Sequence, residues 1–224
     1  MDTSAGGDAA PESATDAAMP ALEAGSDSSP GREAGSDATA DAAEAGRPSC
    51  PTPPAGIPQA ATDAMTLMNQ LRAAMGSPCA NMVPALNTAA QNHCVYYSTN
   101  TGMCTSSPQV EVTPNCSNYD ASQASQRDQM AGYTGTFVAE NMAFIGNGTA
   151  AIQLWLNSVW HRLPLLSPWV VDFGYGVETG CDTMDFGAGA GAPATLVVAY
   201  PYDGQTMVTT TYNGAVEGPT PLRR

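Results

Sequence analysis

The amino-acid sequence predicts an α+β domain that follows a disordered acidic tract. Helical patterns fill the first half of the folded region and strand patterns fill the second half, an order typical of α+β layering. All tryptophan, tyrosine and phenylalanine residues lie after residue 95, so the folded region holds the whole aromatic content. About 165 residues remain once the tract is set aside, which suits one domain with a single core.

The N-terminal tract is rich in Ala, Gly, Asp, Ser, Glu and Pro and has no aromatic residue. Residues 1–49 carry ten of the 21 acidic residues and two of the seven arginines, which accounts for −8 of the net charge of −14. Such a segment repels itself and cannot bury enough apolar area to offset its chain entropy. We predict a disordered linker over residues 1–57, a folded domain over 58–215 and a tail over 216–224.

Hydrophobic spacing predicts four helices, over residues 60–75, 84–98, 121–131 and 149–159. Thr62 or Asp63 is the expected cap of the first helix, and Pro84 starts the second, where proline is favoured. Thr149 is the expected cap of the fourth helix. Pro164 and Pro168 are expected to break the segment that follows it.

Strand patterns dominate the second half of the folded region. Residues 137–143 form a short extended or irregular segment, and two strands follow at Phe173–Thr179 and Thr195–Tyr200. The intervening loop is rich in glycine (Gly187, Gly189, Gly191), and its acids Asp182 and Asp185 are expected to be solvated, with calcium binding as the alternative. Met207–Tyr212 alternates weakly and predicts a further edge strand.

The charge balance excludes two classes of partner. The chain has no lysine and only seven arginines, so it cannot bind phosphate backbones by counterion release. We therefore expect no nucleic-acid partner and no anionic membrane surface. No run of 18 apolar residues exists, so we predict no transmembrane segment, and we expect a monomer.

Six cysteines favour disulfide bonds in an oxidising compartment: Cys50, Cys79, Cys94, Cys104, Cys116 and Cys181. Their number is even and no Cys-x-x-Cys pair occurs, although buried free thiols in a cytosolic protein are the alternative. The sequence does not choose among the 15 possible pairings. Cys104 with Cys116 is an attractive local bridge, since it closes a loop of about a dozen residues and stabilises by about 3 kcal/mol.

The predicted compartment is the cell exterior or cell surface. The sequence opens on a polar stretch without the basic and apolar regions of a signal peptide. We expect that a leader is missing from this sequence, because a long acidic tether before a cysteine-bearing domain is typical of surface-exposed modules. A protein that stays inside the cell is the alternative.

Three polar residues are the candidates for chemistry: His93, Glu140 and His161. The two histidines are the only ones in the chain, and Glu140 directly follows the apolar residues Phe137-Val-Ala. Taken singly, each has a structural alternative: a packed core histidine, a buried ion pair, and a helix C-terminal cap shared with Arg162. Together they meet the ligand count of a zinc site, but spacings of 47 and 21 residues match no compact zinc motif. The residues permit a metal without demanding one.

An ordered set of motifs resembles the CAP superfamily (cysteine-rich secretory, antigen 5 and pathogenesis-related proteins, also called SCP/PR-1-like domains) in its bacterial form. The resemblance covers roughly residues 60–202. The matching segments are Met68-Asn69-Gln-Leu-Arg72, Leu86-Asn-Thr-Ala-Ala-Gln-Asn-His93, Glu140-Asn141, Trp155-Leu-Asn-Ser158, His161-Arg162-Leu-Pro-Leu-Leu166 and Phe173-Gly-Tyr-Gly-Val177.

The resemblance implies a three-layer α-β-α sandwich with a central antiparallel sheet. It also implies a cleft with two histidines and two acids, which binds zinc or another divalent cation in some members. Those positions correspond to His93, Glu140 and His161, while the second acid falls on Ser158. Asn141, Ser158 and Arg162 would line the cleft. The missing carboxylate should weaken metal affinity and removes a natural general base.

Three functions follow as hypotheses. The first is a secreted or surface-tethered binding module whose His/Glu cleft takes a divalent cation or a small polar ligand; the resemblance adds a lipid or a cell-surface component as partner. The alternative is a metal-assisted hydrolase of peptide or cell-wall substrates, in which Glu140 would act as the base. The third is a structural surface domain with core histidines. No catalytic residue is assigned, and an enzyme is the less favoured hypothesis.

Overall fold

A computed structural model describes residues 49–113, 115–188, 197–206 and 208–209 of the chain. The chain divides into two units, Met1–Ala45 and Gly46–Arg224, and every described residue belongs to the second. The predictions for residues 1–48 and for the tail at 216–224 therefore lie outside the described residues.

The described residues form five α-helices, one short 3₁₀ helix and four strands. In chain order these are α1 (Gln59–Ala74), β1 (Asn81–Met82), α2 (Pro84–Thr99), the 3₁₀ helix (Gly102–Thr105), α3 (Ala124–Met130), β2 (Thr136–Ala143), α4 (Gly148–Leu156), α5 (Val159–Leu166), β3 (Val170–Glu178) and β4 (Cys181–Ala188).

The first two helices confirm the hydrophobic spacing. The buried residues of α1 recur every three or four positions, with Ala61, Met65, Met68 and Arg72 on one side. The expected caps were wrong, since α1 begins after Pro58 without a side-chain cap. Proline already fixes the backbone near helical φ, so the helix starts one turn earlier than a polar cap would place it.

The region after residue 148 differs from its prediction. Asn147, not Thr149, caps α4, and its side chain accepts a hydrogen bond from the backbone N–H of Ala150 at 3.0 Å. A separate helix, α5, then includes Pro164, which was expected to break it. The helix loses one backbone hydrogen bond at this proline, and the buried ring contributes apolar packing in its place.

The sheet has the strand order β1-β3-β4-β2. β4 lies between β3 and β2 and is antiparallel to both, whereas the two residues of β1 add parallel to β3. The prediction of a glycine-rich loop after residue 179 was wrong for residues 181–188, since Cys181–Ala188 is strand β4 and contains Gly187. Asp182 and Asp185 are therefore buried strand residues and not solvated loop acids. Gly189 and Gly191 lie outside the described residues.

The predicted strand at Thr195–Tyr200 is wrong for the residues that are described. Residues 197–200 contain no strand, and Val197 is 87% exposed. The partner position beside β3 is already taken by β4, so this segment has no place in the central pairing. Of the predicted edge strand Met207–Tyr212, only residues 208 and 209 are described, and neither is in a strand.

Helices cover both faces of the sheet, which confirms the α-β-α sandwich. Phe173 and Tyr175 of β3 pack into the core with α1 and α4. Gly174 and Gly176 alternate with them and face the backbone of α2 on the other side. A Cβ atom at Gly176 would lie 2.2 Å from the Ala90 carbonyl carbon, so α2 sits directly on the strand backbone.

Three disulfide bonds join all six cysteines: Cys50–Cys79, Cys94–Cys181 and Cys104–Cys116. The local bridge expected between Cys104 and Cys116 is confirmed. The other two bonds connect distant parts of the chain, and Cys94–Cys181 fastens α2 to the central strand β4. No helix among the described residues has the length and apolar character needed to cross a membrane.

The close approach of α2 to β3 gives a stability prediction. Gly176→Ala should lower the free energy of unfolding by about 1–3 kcal/mol, because its methyl group would overlap the backbone of α2. Urea denaturation followed by circular dichroism measures the effect. Thr179→Ala, in the turn after β3, is the control and should change stability far less. Equal stabilities for the two variants would contradict this account of the packing.

Candidate functional site

A cluster of charged side chains is buried between α2, α3 and the sheet. It contains two of the three predicted site residues, His93 and Glu140, together with four others, Glu111, Arg127, Asp128 and Asp185. All six are at most 8% exposed. Four acidic groups in one buried cluster need compensation, because a carboxylate removed from water without partners is strongly unfavourable.

His93 is held by hydrogen-bond partners on both ring nitrogens. Nδ1 lies 2.9 Å from Oε1 of Glu111, and Nε2 lies 2.8 Å from the carbonyl oxygen of Pro108. A carboxylate and a carbonyl both accept hydrogen bonds, so oxygen acceptors face both ring nitrogens of His93. Oε1 of Glu140 lies 4.0 Å from Nε2, and Sδ of Met142 lies 3.3 Å from it.

Arg127 supplies a positive charge to the cluster. Its Nη2 donates to Oε2 of Glu140 at 2.6 Å, and its Nε lies 3.7 Å from Oε1 of Glu111. Nη1 reaches the carbonyl oxygen of Ala121 at 3.3 Å. The guanidinium therefore joins the loop before α3 to strand β2 and neutralises part of the acidic cluster.

Asp128 and Asp185 are the least compensated members of the cluster. No donor among the described residues reaches any of their four carboxyl oxygens, so a hydrogen bond between them requires one group to be protonated. Burial raises the pKa of Asp128 to about 6, with a further increase from Glu140. Burial also raises the pKa of Asp185 well above its usual value, with further increases from Glu140 and Asp128.

His161 lies in a separate cleft of 520 Å³ at the edge of the sheet. Its Nδ1 is 2.5 Å from Oγ of Ser158, the residue that precedes α5. Its backbone carbonyl accepts a hydrogen bond from Nδ2 of Asn141 at 2.9 Å. The cleft is lined by Pro108, Gln109, Met142, Ala143, Phe144, Leu154, Trp155, Ser158 and His161.

The structure thus brings His93 and Glu140 together and places His161 in a neighbouring cleft. Met142 is shared, since it contacts His93 and lines the cleft. The alternative that His161 is a helix C-terminal cap is wrong, because His161 is the third residue of α5. Arg162, expected in the same cleft, lines a different groove. Consecutive residues of β2 point to opposite faces, which is why Glu140 and Asn141 have different neighbours.

Sequence reasoning missed four members of the buried cluster: Glu111, Arg127, Asp128 and Asp185. Glu111 lies in a polar loop and Asp185 in a segment taken as glycine-rich, so neither pattern indicated burial. One signal was present. The described residues include only three arginines, and Asp and Glu are almost never fully buried unless they are paired, so each arginine was a candidate partner for a buried acid.

The predicted metal ligands fit a cation only after rearrangement. Across residues 49–113, 115–188, 197–206 and 208–209, no group of three or more His, Cys, Asp or Glu side chains is placed to hold a metal. Both ring nitrogens of His93 already face oxygen acceptors. One atom is suited to a cation: Oε1 of Glu140 is buried and has no hydrogen-bond partner among the described residues. Zinc binding stays a prediction.

A family model of CAP, the cysteine-rich secretory protein family, matches residues 65–200, which is more than half of the chain. The chain belongs to the CAP family. The matched region of the CAP domain contains the buried cluster, the cleft beside His161 and five of the six cysteines. No curated protein matches the chain.

Three solved structures resemble the CAP domain. An extracellular protein containing an SCP domain from Bacillus anthracis is 23% identical, with a TM-score of 0.49, over 58% of this chain and 41% of its own. A cysteine-rich secretory protein from Staphylococcus aureus is 22% identical, with a TM-score of 0.43, over 61% and 40%. An outer surface protein from Borrelia burgdorferi is 17% identical, with a TM-score of 0.46, over 58% and 92%. The CAP domain thus aligns with about two fifths of the first two proteins.

The raised pKa of Asp128 makes stability depend on pH. In the unfolded chain the group ionises near its ordinary value of 3.8, whereas in the folded protein it ionises at about 6. Well below pH 3.8 both states hold the proton and Asp128 costs no stability. Between pH 4 and pH 6 the unfolded state releases the proton first, so stability falls as pH rises.

Asp128→Asn should remove part of this dependence. The free energy of unfolding of the variant, relative to the native protein, should rise by about 1–3 kcal/mol between pH 4 and pH 7. Urea denaturation at several pH values measures the difference. A difference that stays constant, or that falls with rising pH, would contradict a buried carboxyl group that prefers its proton.

Proposed function

We propose that the CAP domain is an extracellular binding module whose cleft beside His161 takes a small ligand. The observation that carries the proposal is the lining of this cleft, in which Gln109, Ser158 and His161 are the polar side chains on an otherwise apolar wall. Small-molecule sites commonly have this composition and a volume of about 300–1,000 Å³. The volume of 520 Å³ lies in that range.

The lining defines the class of ligand. Phe144, Leu154 and Trp155 offer apolar contacts for a compact body, and the polar side chains offer hydrogen bonds to one amide, hydroxyl or carboxylate group. The three disulfide bonds support an oxidising location such as the cell exterior.

The His161 side chain should hold the ligand in its orientation through a hydrogen bond. Nuclear magnetic resonance of the two histidine rings, titrated with a panel of small carboxylates and amides, should show shifts for His161 that saturate and smaller shifts for His93. His161→Gln should weaken binding by about tenfold, the loss expected for one hydrogen bond to a polar ligand group. Gln153→Ala, an exposed change on the preceding helix, is the control.

Either of two results would contradict the cleft as the binding site. One is a panel in which no compound produces saturating shifts at His161. The other is a bound compound whose affinity is the same for the native protein and for His161→Gln.

A divalent cation is a second candidate ligand, favoured by the unpartnered Oε1 of Glu140 close to His93. The cation needs a free lone pair on Nε2 of His93, so the ring must give up its contact with Pro108. Met142 also lies against this nitrogen and must move. The intact arrangement therefore disfavours the cation, and removal of the Met142 side chain should favour it.

Met142→Ala should accordingly bind zinc more tightly than the native protein. Titration calorimetry at pH 7.5 should give an increase in affinity of at least about tenfold, because zinc no longer has to displace the Met142 side chain from Nε2 of His93. The double variant Met142→Ala with His93→Gln should lose that gain. If zinc produces no heat with Met142→Ala, Glu140 and His93 are not cation ligands.

The metal-assisted hydrolase is the weaker proposal. It requires Glu140 as a general base, but Oε2 of this residue accepts a 2.6 Å hydrogen bond from Arg127. That oxygen already accepts from the guanidinium, so it is not free to take a proton from a water molecule.

A further inference from the structure

One edge of β3 is covered by a neighbouring strand over only part of its length. β1 pairs with Asp172 and Phe173, and no described strand lies beside residues 174–178 on this side of β3. A strand edge with unpaired N–H and C=O groups is a template for pairing with another chain. The backbone groups of this stretch therefore need partners of another kind.

Side-chain amides of α2 bind these backbone groups. Oδ1 of Asn87 accepts a hydrogen bond from the N–H of Tyr175 at 2.9 Å. Gln91 makes two bonds to one residue: its Oε1 accepts from the N–H of Val177 at 3.0 Å, and its Nε2 donates to the carbonyl oxygen of Val177 at 3.1 Å. A primary amide carries N–H donors and a C=O acceptor, as a peptide group does. Gln91 thus offers Val177 the two bonds that a residue of an adjacent strand would offer.

The spacing of these contacts follows from the periods of the two elements. Residues four apart on a helix lie on one face and are separated by about 6 Å along its axis. Residues two apart on a strand point to the same edge and are separated by about 6.6 Å. The N–H of Val83, one helical turn before Asn87, continues the series by donating to the carbonyl oxygen of Phe173 at 2.8 Å. The helix therefore runs in register with the strand edge.

Two glycines of β3 bring α2 close enough for this register to be used. A Cβ atom at Gly174 would lie 2.0 Å from the carbonyl carbon of Leu86, and one at Gly176 would lie 2.2 Å from that of Ala90. The helix backbone therefore lies against the strand backbone. At this distance even the short side chain of Asn87 reaches a backbone N–H of the strand.

We propose that Asn87 and Gln91 take the place of a neighbouring strand and so prevent β3 from pairing with the β3 strand of a second copy of this chain. The edge can be reached from outside, because it borders a groove of 530 Å³ that Asn87, Gln91 and Val177 line together. Two copies of one edge can pair about a two-fold axis, since the interface is then self-complementary. The proposal is independent of the ligand in the His161 cleft.

Hydrogen exchange of two backbone amides tests the contacts themselves. Gln91→Leu should speed exchange at the Val177 N–H by about tenfold, the factor expected for one lost hydrogen bond, and should leave the Tyr175 N–H unchanged. Asn87→Leu should show the reverse pattern. Nuclear magnetic resonance of the full chain measures both rates, and each variant is the control for the other.

Self-association tests the role of the amides at the edge. The double variant Asn87→Ala with Gln91→Ala should associate at least about tenfold more tightly than the native protein in analytical ultracentrifugation. The measurement needs physiological ionic strength, so that the net charge of −14 does not keep the copies apart. The matched control is Thr88→Ala with Asn92→Ala, two polar residues of the same helix and groove whose side chains bond elsewhere.

The exchange rate at Val177 also identifies the surface through which the double variant associates. This rate should fall as the protein concentration rises, because a second β3 strand then supplies the missing acceptor. Thermal melting establishes that each variant is folded.

Three outcomes would overturn the proposal. The first is a folded double variant that associates no more tightly than the native protein. The second is equal association of the double variant and its matched control, which would place the effect in the groove surface and not in the strand edge. The third is association that leaves exchange at Val177 independent of protein concentration.

Discussion

The ion pair between Arg127 and Glu140 is the interaction on which the arrangement of this domain's polar interior depends. Glu140 lies on β2 and faces Asp185 across the strand pairing, while Arg127 comes from α3. Without the guanidinium, four acidic side chains would share a buried space with one histidine. Removing one partner of a buried pair leaves the other uncompensated, a change that typically costs about 3–5 kcal/mol. The pair therefore fixes where α3 and its preceding loop lie.

A second buried arginine, Arg72, donates hydrogen bonds to backbone carbonyl groups, whereas Arg127 pairs with a buried acid. Arg72 reaches carbonyl oxygens at the end of α5 and at the start of β3, which are helix-end and loop groups without regular partners. Burial lowers its pKa to about 10, so the guanidinium keeps its charge at neutral pH. The domain thus uses two of its few cations in the interior, and the described surface is left with little positive charge.

The two faces of helix α5 line two different surfaces. His161 faces a cleft with hydrogen-bonding side chains, whereas Arg162 faces an apolar groove, although the two residues are adjacent. Residues next to each other on a helix are about 100° apart, so one short helix can serve two surfaces. The two surfaces can therefore be studied by separate substitutions.

The sequence by itself determined the helices α1 and α2, the α+β class, the Cys104–Cys116 bond and, through ordered motifs, the family. These features rest on local periodicity, short loop length or a fixed order of residues, all of which are visible along the chain. His93 and Glu140 were also recognised as polar residues in apolar surroundings, and they do meet.

Only the tertiary structure decided that β4 is the central strand. Its buried acids and glycine hide the alternation by which strands are recognised. Asp182 accepts a hydrogen bond from Tyr175 of β3, and the charge of Arg127 on α3 offsets only part of the burial of Asp185. The separation of His161 and Arg162 into two clefts was equally invisible, since it depends on which face of α5 meets β2. Partners supplied by distant segments leave no mark in the local sequence, and that is the physical reason why the polar interior and both clefts emerged from the fold alone.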